Sequence, residues 1–159
     1  MTRSRSEYRL SPISVVSAPP SIEARHPAGT DRDALATLLL EGYRHTIDDE
    51  GEDLDDAYEA IDQYLTRIER PHSYVVIEQE RLVSFAFVVT VNQIHYIDPV
   101  VVAPPCKQRG LGRAAVQLCL ASLAAAGVSE VGATITDGNI PSERLFAGLG
   151  FRRGGAWPR

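Results

Sequence analysis

Lys107, Arg109 and Arg113 place three positive charges within seven residues, with Gly110 and Gly112 interspersed. The turn that carries them follows an apolar run, residues 94–102, and two prolines, and it opens a long apolar helix. Such a turn is suited to hold phosphate. The first N–H groups of a helix have no intrahelical partner, the helix dipole favours negative charge there, and glycine lets a ligand approach the main chain. The formal net charge of the whole chain is -5, so this local reversal of sign points to an anionic ligand.

A second cluster has the opposite sign. Asp48, Asp49, Glu50, Glu52 and Asp53 lie between two helical stripes, with Asp55 and Asp56 just beyond. Acids favour the first turn of a helix, which accounts for the later members. Asp48, Asp49 and Glu50 precede that turn, and they are either solvated or positioned to attract a cationic substrate.

These residues need a scaffold. Leu35, Leu38, Leu39 and Tyr43 repeat at helical spacing after an N-cap at Thr30, and Leu54, Ala57, Tyr58, Ile61, Leu65 and Ile68 form a second stripe ended by Arg70-Pro71. Residues 73–78 and 82–91 read as a hairpin around Gln79-Glu80-Arg81, and Asn92-Gln93 turns the chain into the strand over residues 94–102. The helix over residues 111–126 is apolar on nearly every side and therefore mostly buried, and Gly127 ends it. A strand over residues 130–136, the turn Asp137-Gly138-Asn139, a short helix from Pro141 and a last strand over residues 151–157 follow. Residues 1–20, rich in Ser, Arg and Pro, read as an N-terminal tail in which residues 8–16 could add an edge strand. The same composition also resembles an organelle transit peptide. Residues 21–159 form a single domain, with a short first strand over residues 21–25.

With 159 residues, 44% hydrophobic and 23% charged, the composition is that of one soluble globular domain. No apolar run approaches the ~20 residues that span a bilayer, and the N-terminus has no apolar secretory block, so the expected location is cytoplasmic and no membrane partner is implied. The acidic balance argues against nucleic acid, whose binding depends on a broad basic surface. Cys106 and Cys119 form no CxxC and read as reduced, leaving neither a disulfide framework nor a zinc site.

Val102-Ala103-Pro104 followed by Lys107-x-x-Gly110-x-Gly112 resembles the acetyl-CoA pyrophosphate loop of the GNAT superfamily of N-acetyltransferases, whose pattern is Arg/Gln-x-x-Gly-x-Gly/Ala. Asn139-x-x-Ser142-x-x-Leu145-Phe146-x-x-Leu149-Gly150-Phe151 is similar to the family's Asn-x-x-Ala-x-x-Leu-Tyr-x-x-x-Gly-Phe. Both motifs occur in the family's order, and the resemblance covers residues 21–151. It implies an α/β (α+β) fold with a mixed, mostly antiparallel central sheet flanked by about four helices. It also implies acetyl-CoA as co-substrate, no metal, and direct transfer of acetyl to a primary amine of a small cationic molecule or of a protein. By position, the amides of Gln108, Arg109, Gly110, Leu111, Gly112 and Arg113 would cradle the pyrophosphate beside Lys107. Asn139 would contact the pantetheine arm, with Ser142 and Phe146 further along the same helix. A main-chain amide near Val101 or Val102 would bind the thioester carbonyl, where a fixed N–H stabilises the developing oxyanion, and Val100 and Val102 would flank the acetyl arm.

Three departures from the pattern carry expectations of their own. Lys107 stands where the family usually has Arg or Gln, a mild change where backbone makes the contact. Phe146 stands where a tyrosine often protonates the departing thiolate, so the donor is expected elsewhere, at Tyr96, Ser142 or water, or the enzyme is slower. The chain ends just past the family's sixth strand, so the usual seventh strand is expected to be missing, its place open to the N-terminal tail or to a partner subunit, as in a homodimer.

A primary amine of pKa ~10.4 is protonated at neutral pH, and freeing the nucleophile costs about 4 to 5 kcal/mol, so a base is useful. Asp98 occupies a position where several family members have a glutamate that accepts this proton; it is equally suited to a turn or bulge before Pro99. His95 has a fitting pKa and ranks second, and Glu78 third. Two other readings compete. Gly110-x-Gly112-x-x-Ala115, with Glu130 downstream, also matches a dinucleotide-binding fingerprint, but that motif belongs in a tight turn after the first strand of repeated βαβ units. Phe146 alternatively suggests an acyl-CoA-binding regulatory module with weak or no catalysis.

Overall fold

The middle of the molecule is an antiparallel meander of β3 (Tyr74–Glu78), β4 (Arg81–Val91) and β5 (Ile94–Val102). Its two turns, Gln79-Glu80 and Asn92-Gln93, place both central residues at positive φ, the conformation whose twist matches that of the flanking strands. In the computed structural model, which describes residues 3–13 and 17–157, β2 (Glu23–Arg25) pairs with β3. β6 (Val131–Thr136) runs parallel to β5, and a parallel neighbour requires a crossover, which α3 (Leu111–Ala125) provides.

Two cores sandwich the sheet. On one face α1 (Arg32–Tyr43) and α2 (Leu54–Arg67) bury Leu35, Leu38, Leu39, Ala57 and Ile61 against Val75, Phe85, Phe87 and Val101. Asp53 caps α2 by accepting from the Asp56 amide at 2.9 Å, and Asp56 accepts in return from the Asp53 amide at 3.0 Å, so these two acids serve the helix start. On the other face α3 and α4 (Ile140–Gly148) cover Ala86, Val88, Ile97, Val131 and Ala133. α3 buries side chains all round, including Ala115, Val116, Cys119, Leu120 and Leu123, as its unbroken apolar pattern requires.

Among the described residues the sheet has seven strands in the order β2-β3-β4-β5-β6-β1-β7, which corrects the expectation that the seventh strand would be missing. β7 (Arg152–Trp157) is present, and β1 (Arg5–Leu10) lies between β6 and β7, antiparallel to both. β1 hides in the sequence because its inward residues are not uniformly apolar. Tyr8 and Leu10 join the core, but Ser6 and Glu7 are buried with them, and Glu7 is fully enclosed. The Tyr96 hydroxyl donates to the Glu7 carboxylate at 2.5 Å and the Arg9 guanidinium lies 3.2 Å from it, so the burial of that charge is compensated. Residues 14–16, the end of the strand expected over residues 8–16, lie outside the described residues.

One irregularity shapes the site. Ala86 opposes Val100 and Val88 opposes Ile97, so Asp98 and Pro99 together face the single residue Phe87. This bulge bends β5 away from β6, whose parallel pairing with it is confined to Tyr96 with Gly132 and Ile97 with Ala133.

Candidate active site

Beyond that last paired position the two strands diverge, and a cleft of about 1010 Å³ opens between β5 and β6. Its floor is the far end of β5. The Ala103 N–H donates to the Val83 carbonyl at 2.8 Å, so alternation along the extended strand turns the Val101 N–H toward β4 and those of Val100 and Val102 toward the gap. The Val101 side chain points the other way, against α1, where a Cβ on Gly42 would lie 2.5 Å from its Cγ1.

At one end of the cleft is the basic turn. Gln108 and Gly110 have positive φ, 66° and 76°, and Gly110 is the residue before α3, where no side chain caps the first-turn amides. A Cβ on Gly112 would stand 3.0 Å from Val102, 3.4 Å from Leu145 and 3.6 Å from Val100, so glycine keeps this end open to the floor of the cleft. Lys107 Nζ donates to the Gly42 carbonyl at 3.1 Å. Arg113 lines the cleft, as does Arg144 on α4, and neither forms an ion pair among the described residues. Arg109 instead makes a two-point ion pair with Glu78 outside the cleft, at 2.9 and 2.8 Å.

The opposite end is made of side chains from four elements. Asp98, on the bulge, is half-buried, with Arg5 Nη2 of β1 at 3.6 Å from one carboxylate oxygen and the Tyr64 hydroxyl of α2 donating to the other at 3.3 Å. Burial raises its pKa above the ordinary carboxylate value, opposed by Arg5, the Tyr64 hydrogen bond and Arg67. Tyr43 of α1 lines the same region; burial first, and then the Asp98 charge, push its hydroxyl, like that of Tyr64, well above the usual tyrosine range, so both remain neutral donors. Between the two ends the α1–α2 loop reaches across. Asp48 accepts from Thr136 Oγ1 at 2.6 Å and from Asn139 Nδ2 at 3.0 Å, while Asn139 Oδ1 caps α4 through the Ser142 amide.

The cleft therefore brings together Asp48, Asp98, Val100, Val101, Val102, Lys107, Gln108, Gly110, Leu111, Gly112, Arg113, Asn139, Ser142 and Phe146. It does not include His95, Tyr96, Arg109, Asp49 or Glu50. His95 Nδ1 lies 2.7 Å from Glu69, and the Tyr96 ring packs between Gly132 and Trp157 with its hydroxyl on Glu7. Asp49 accepts from the amides of His45 and Gly51, ordering its own loop.

A sequence model of the Acetyltransferase (GNAT) family matches residues 33–151. The chain belongs to the GNAT acetyltransferase family. Curated proteins offer no significant sequence match. Among solved structures, a GCN5-related N-acetyltransferase from Sphaerobacter thermophilus aligns with 97% of this chain and 49% of its own, at TM-score 0.75 and 17% identity. AAC(6')-Iy, in complex with the bisubstrate analog CoA-S-monomethyl-acetylneamine, aligns with 82% of this chain and 90% of its own, at TM-score 0.64 and 15% identity. Diaminobutyrate acetyltransferase EctA from Paenibacillus lautus, in complex with L-2,4-diaminobutyric acid and coenzyme A, aligns over 80% and 74%, at TM-score 0.59 and 19% identity. At these identities the likeness is one of fold. The chain spans about half the length of several structures it matches.

Within this GNAT fold, Phe146 has no polar atom to offer the cleft, and its ring stands edge-on to Phe151 at 5.0 Å. Arg5, Tyr43, Tyr64, Thr136 and Arg144 line or adjoin the cleft without having been marked as site residues by the sequence. Tyr43 was legible only as part of an apolar helical stripe, and Arg5 carried no signal because its strand was not distinguishable from a tail. Among the described residues no group of three or more His, Cys, Asp or Glu side chains could hold a metal ion, and no helix is long and apolar enough to cross a membrane.

Proposed function

We propose that the protein transfers an acetyl group from acetyl-CoA to the nitrogen of a primary amine. One observation carries the reading: the open cleft joins an uncapped helix start, with Gly112 clearing its floor, to a half-buried carboxylate on the β5 bulge. The residues fit the co-substrate. Its pyrophosphate would lie on the amides of residues 108–113, near Arg113 and Arg144, which form no ion pair among the described residues, and its pantetheine arm along β5. Either inward amide, of Val100 or Val102, would hold the thioester oxygen as negative charge develops there. Asp98 takes the proton from the attacking nitrogen as the carbon–nitrogen bond forms and the carbon–sulfur bond breaks. The thiolate leaves without a tyrosine acid, as a thiol of pKa ~8.5 allows, with Ser142 or water supplying its proton. Tyr96 is engaged by Glu7 and is not the donor in this reading.

The acceptor is read as a primary amine of a small molecule or of a protein, a class consistent with the diaminobutyric acid held by EctA. Asp48 and Asp49 are engaged in hydrogen bonds within the fold, so the acidic loop supports no particular preference for polycations. A binding-only module is favoured by Phe146 alone. Thiol release from acetyl-CoA across a panel of amines decides between them, with Gly112→Trp as the blocked control. Turnover in the parent and none in the variant supports acetyl transfer; acetyl-CoA binding without turnover on any amine leaves the binding module; equal turnover in both removes the cleft as the site.

A further inference from the structure

We infer that the N-terminal strand is part of the active site, because Arg5 on β1 bridges the Thr134 carbonyl of one cleft wall and the Asp98 carboxylate of the other. The inference rests on Asp98 being the base of the proposed acetyl transfer. β1 lies between β6 and β7, and its register sets Arg5 opposite Thr136 at the mouth of the cleft. From there Arg5 Nη2 donates to the Thr134 carbonyl at 2.9 Å and lies 3.6 Å from Asp98 Oδ1. The guanidinium is thus anchored to the β6 wall and reaches across the divergence to the β5 wall, where Asp98 has no strand partner on β6.

The charged and titratable groups acting on Asp98 come from three elements: Arg5 from β1, Tyr43 from α1, and Tyr64 and Arg67 from α2. The tyrosines can orient the carboxylate but bring no positive charge. Arg67 and Arg5 are the two cations, and Arg5 is the larger influence. Burial alone would drive Asp98 toward the protonated form, in which it cannot take the proton of an amine. Arg5 opposes that, so removing its charge raises the pKa of the base and moves the acid limb of the pH–rate profile upward. Arg5 touches Asp98 and the Thr134 carbonyl, so it is a positioning residue.

The test compares the full-length parent with Arg5→Gln, Arg5→Lys and Asp98→Asn, each folded by circular dichroism, in kcat/KM against pH with saturating acetyl-CoA. Arg5→Gln is expected to shift the acid limb up by about one pH unit, as loss of an opposite charge within ~4 Å of a carboxylate does. Arg5→Lys keeps the charge and should restore the limb to within roughly 0.3 unit of the parent. An unshifted limb in Arg5→Gln, whatever its melting temperature, overturns the inference. A parent limb that persists in Asp98→Asn overturns the underlying reading instead. If Arg5→Gln fails to fold, the parent serves: the pair is partly exposed, and raising salt from ~0.05 to ~1 M should lift the acid limb by a few tenths of a unit. A limb indifferent to salt would then count against Arg5.

Discussion

The two ends of the cleft are built on opposite principles. The basic end is a run of consecutive residues, 108–113, whose useful groups are main-chain amides at the start of α3. The Asp98 end is a set of side chains contributed by β1, α1, α2 and β5, which meet only because the sheet is ordered as it is. A site of amides is insensitive to which side chains it carries and sensitive to anything that fills its space. A site of side chains is the reverse, since each group can be removed singly without disturbing the backbone.

The largest effect should come from filling the amide end. Gly112→Trp puts an indole where even a Cβ meets Val102 at 3.0 Å, so the side chain must occupy the cleft or displace its floor. Acetyl-CoA affinity by calorimetry is expected to fall at least ~100-fold, equivalent to roughly 2.7 kcal/mol, and turnover to fall below detection. Gln108→Ala is the contrast within the same turn, because in the proposed reading the backbone makes the contact and only a side chain at positive φ is altered. Its affinity should stay within about threefold of the parent. If the two variants lose affinity alike, the distinction between the ends collapses.

The next effect isolates the other end. Asp98→Asn should lower kcat/KM for the amine by about 10² to 10³ while leaving acetyl-CoA affinity within twofold. The pH dependence has a definite sign. Burial holds the Asp98 pKa above the usual carboxylate value, and the form proposed to take the proton from the amine is the ionised one. The parent should therefore lose activity as pH falls through that pKa, over and above any loss from protonation of the amine, and Asp98→Asn should remove that added loss.

The contrast between the ends also explains what could be read before the structure was known. The glycine spacing of residues 110 and 112 and the pattern from Asn139 to Phe151 describe local backbone geometry, which sequence spacing encodes directly. The helices and the β3–β5 meander were legible for the same reason, their periods being local. Arg5 and Tyr64 became site residues only through long-range pairing, and β1 lacked an apolar alternation because Glu7 is buried with its charge compensated by Arg9 and Tyr96. The same burial removed Tyr96 from the cleft. A strand held by compensated polar groups reads as a tail, so the strands counted from the sequence fell one short of the seven described in the sheet.

Tyr96 sharpens the point as a residue next to the site in sequence and outside it in space. Tyr96→Phe deletes the hydroxyl that donates to the fully buried Glu7. Stability should fall by about 1 to 3 kcal/mol, the cost of a hydrogen bond to a buried charge. In a protein of this size that is a melting temperature lower by roughly 3 to 10 °C. Because the ring lies against Trp157 and away from the cleft, kcat should be unchanged within twofold. A large loss of kcat at unchanged stability would return Tyr96 to the list of proton donors.

The smallest effect belongs to Arg109, a basic residue in the middle of the glycine-containing turn that is held outside the cleft. Its guanidinium forks onto Glu78, an exposed pair that keeps the charge on the outer side of the turn. Arg113 lies at the other end of the same turn and faces the cleft with no ion pair among the described residues. Two arginines four residues apart therefore make opposite predictions. Arg113→Ala should weaken acetyl-CoA binding roughly three- to tenfold, as loss of a charge-assisted phosphate contact does, with the loss shrinking at high salt. Arg109→Ala should leave the affinity within twofold. Equal losses from both would mean that the Glu78 pair opens when the ligand arrives and that the turn binds by charge, which would make the two ends of the cleft alike in principle.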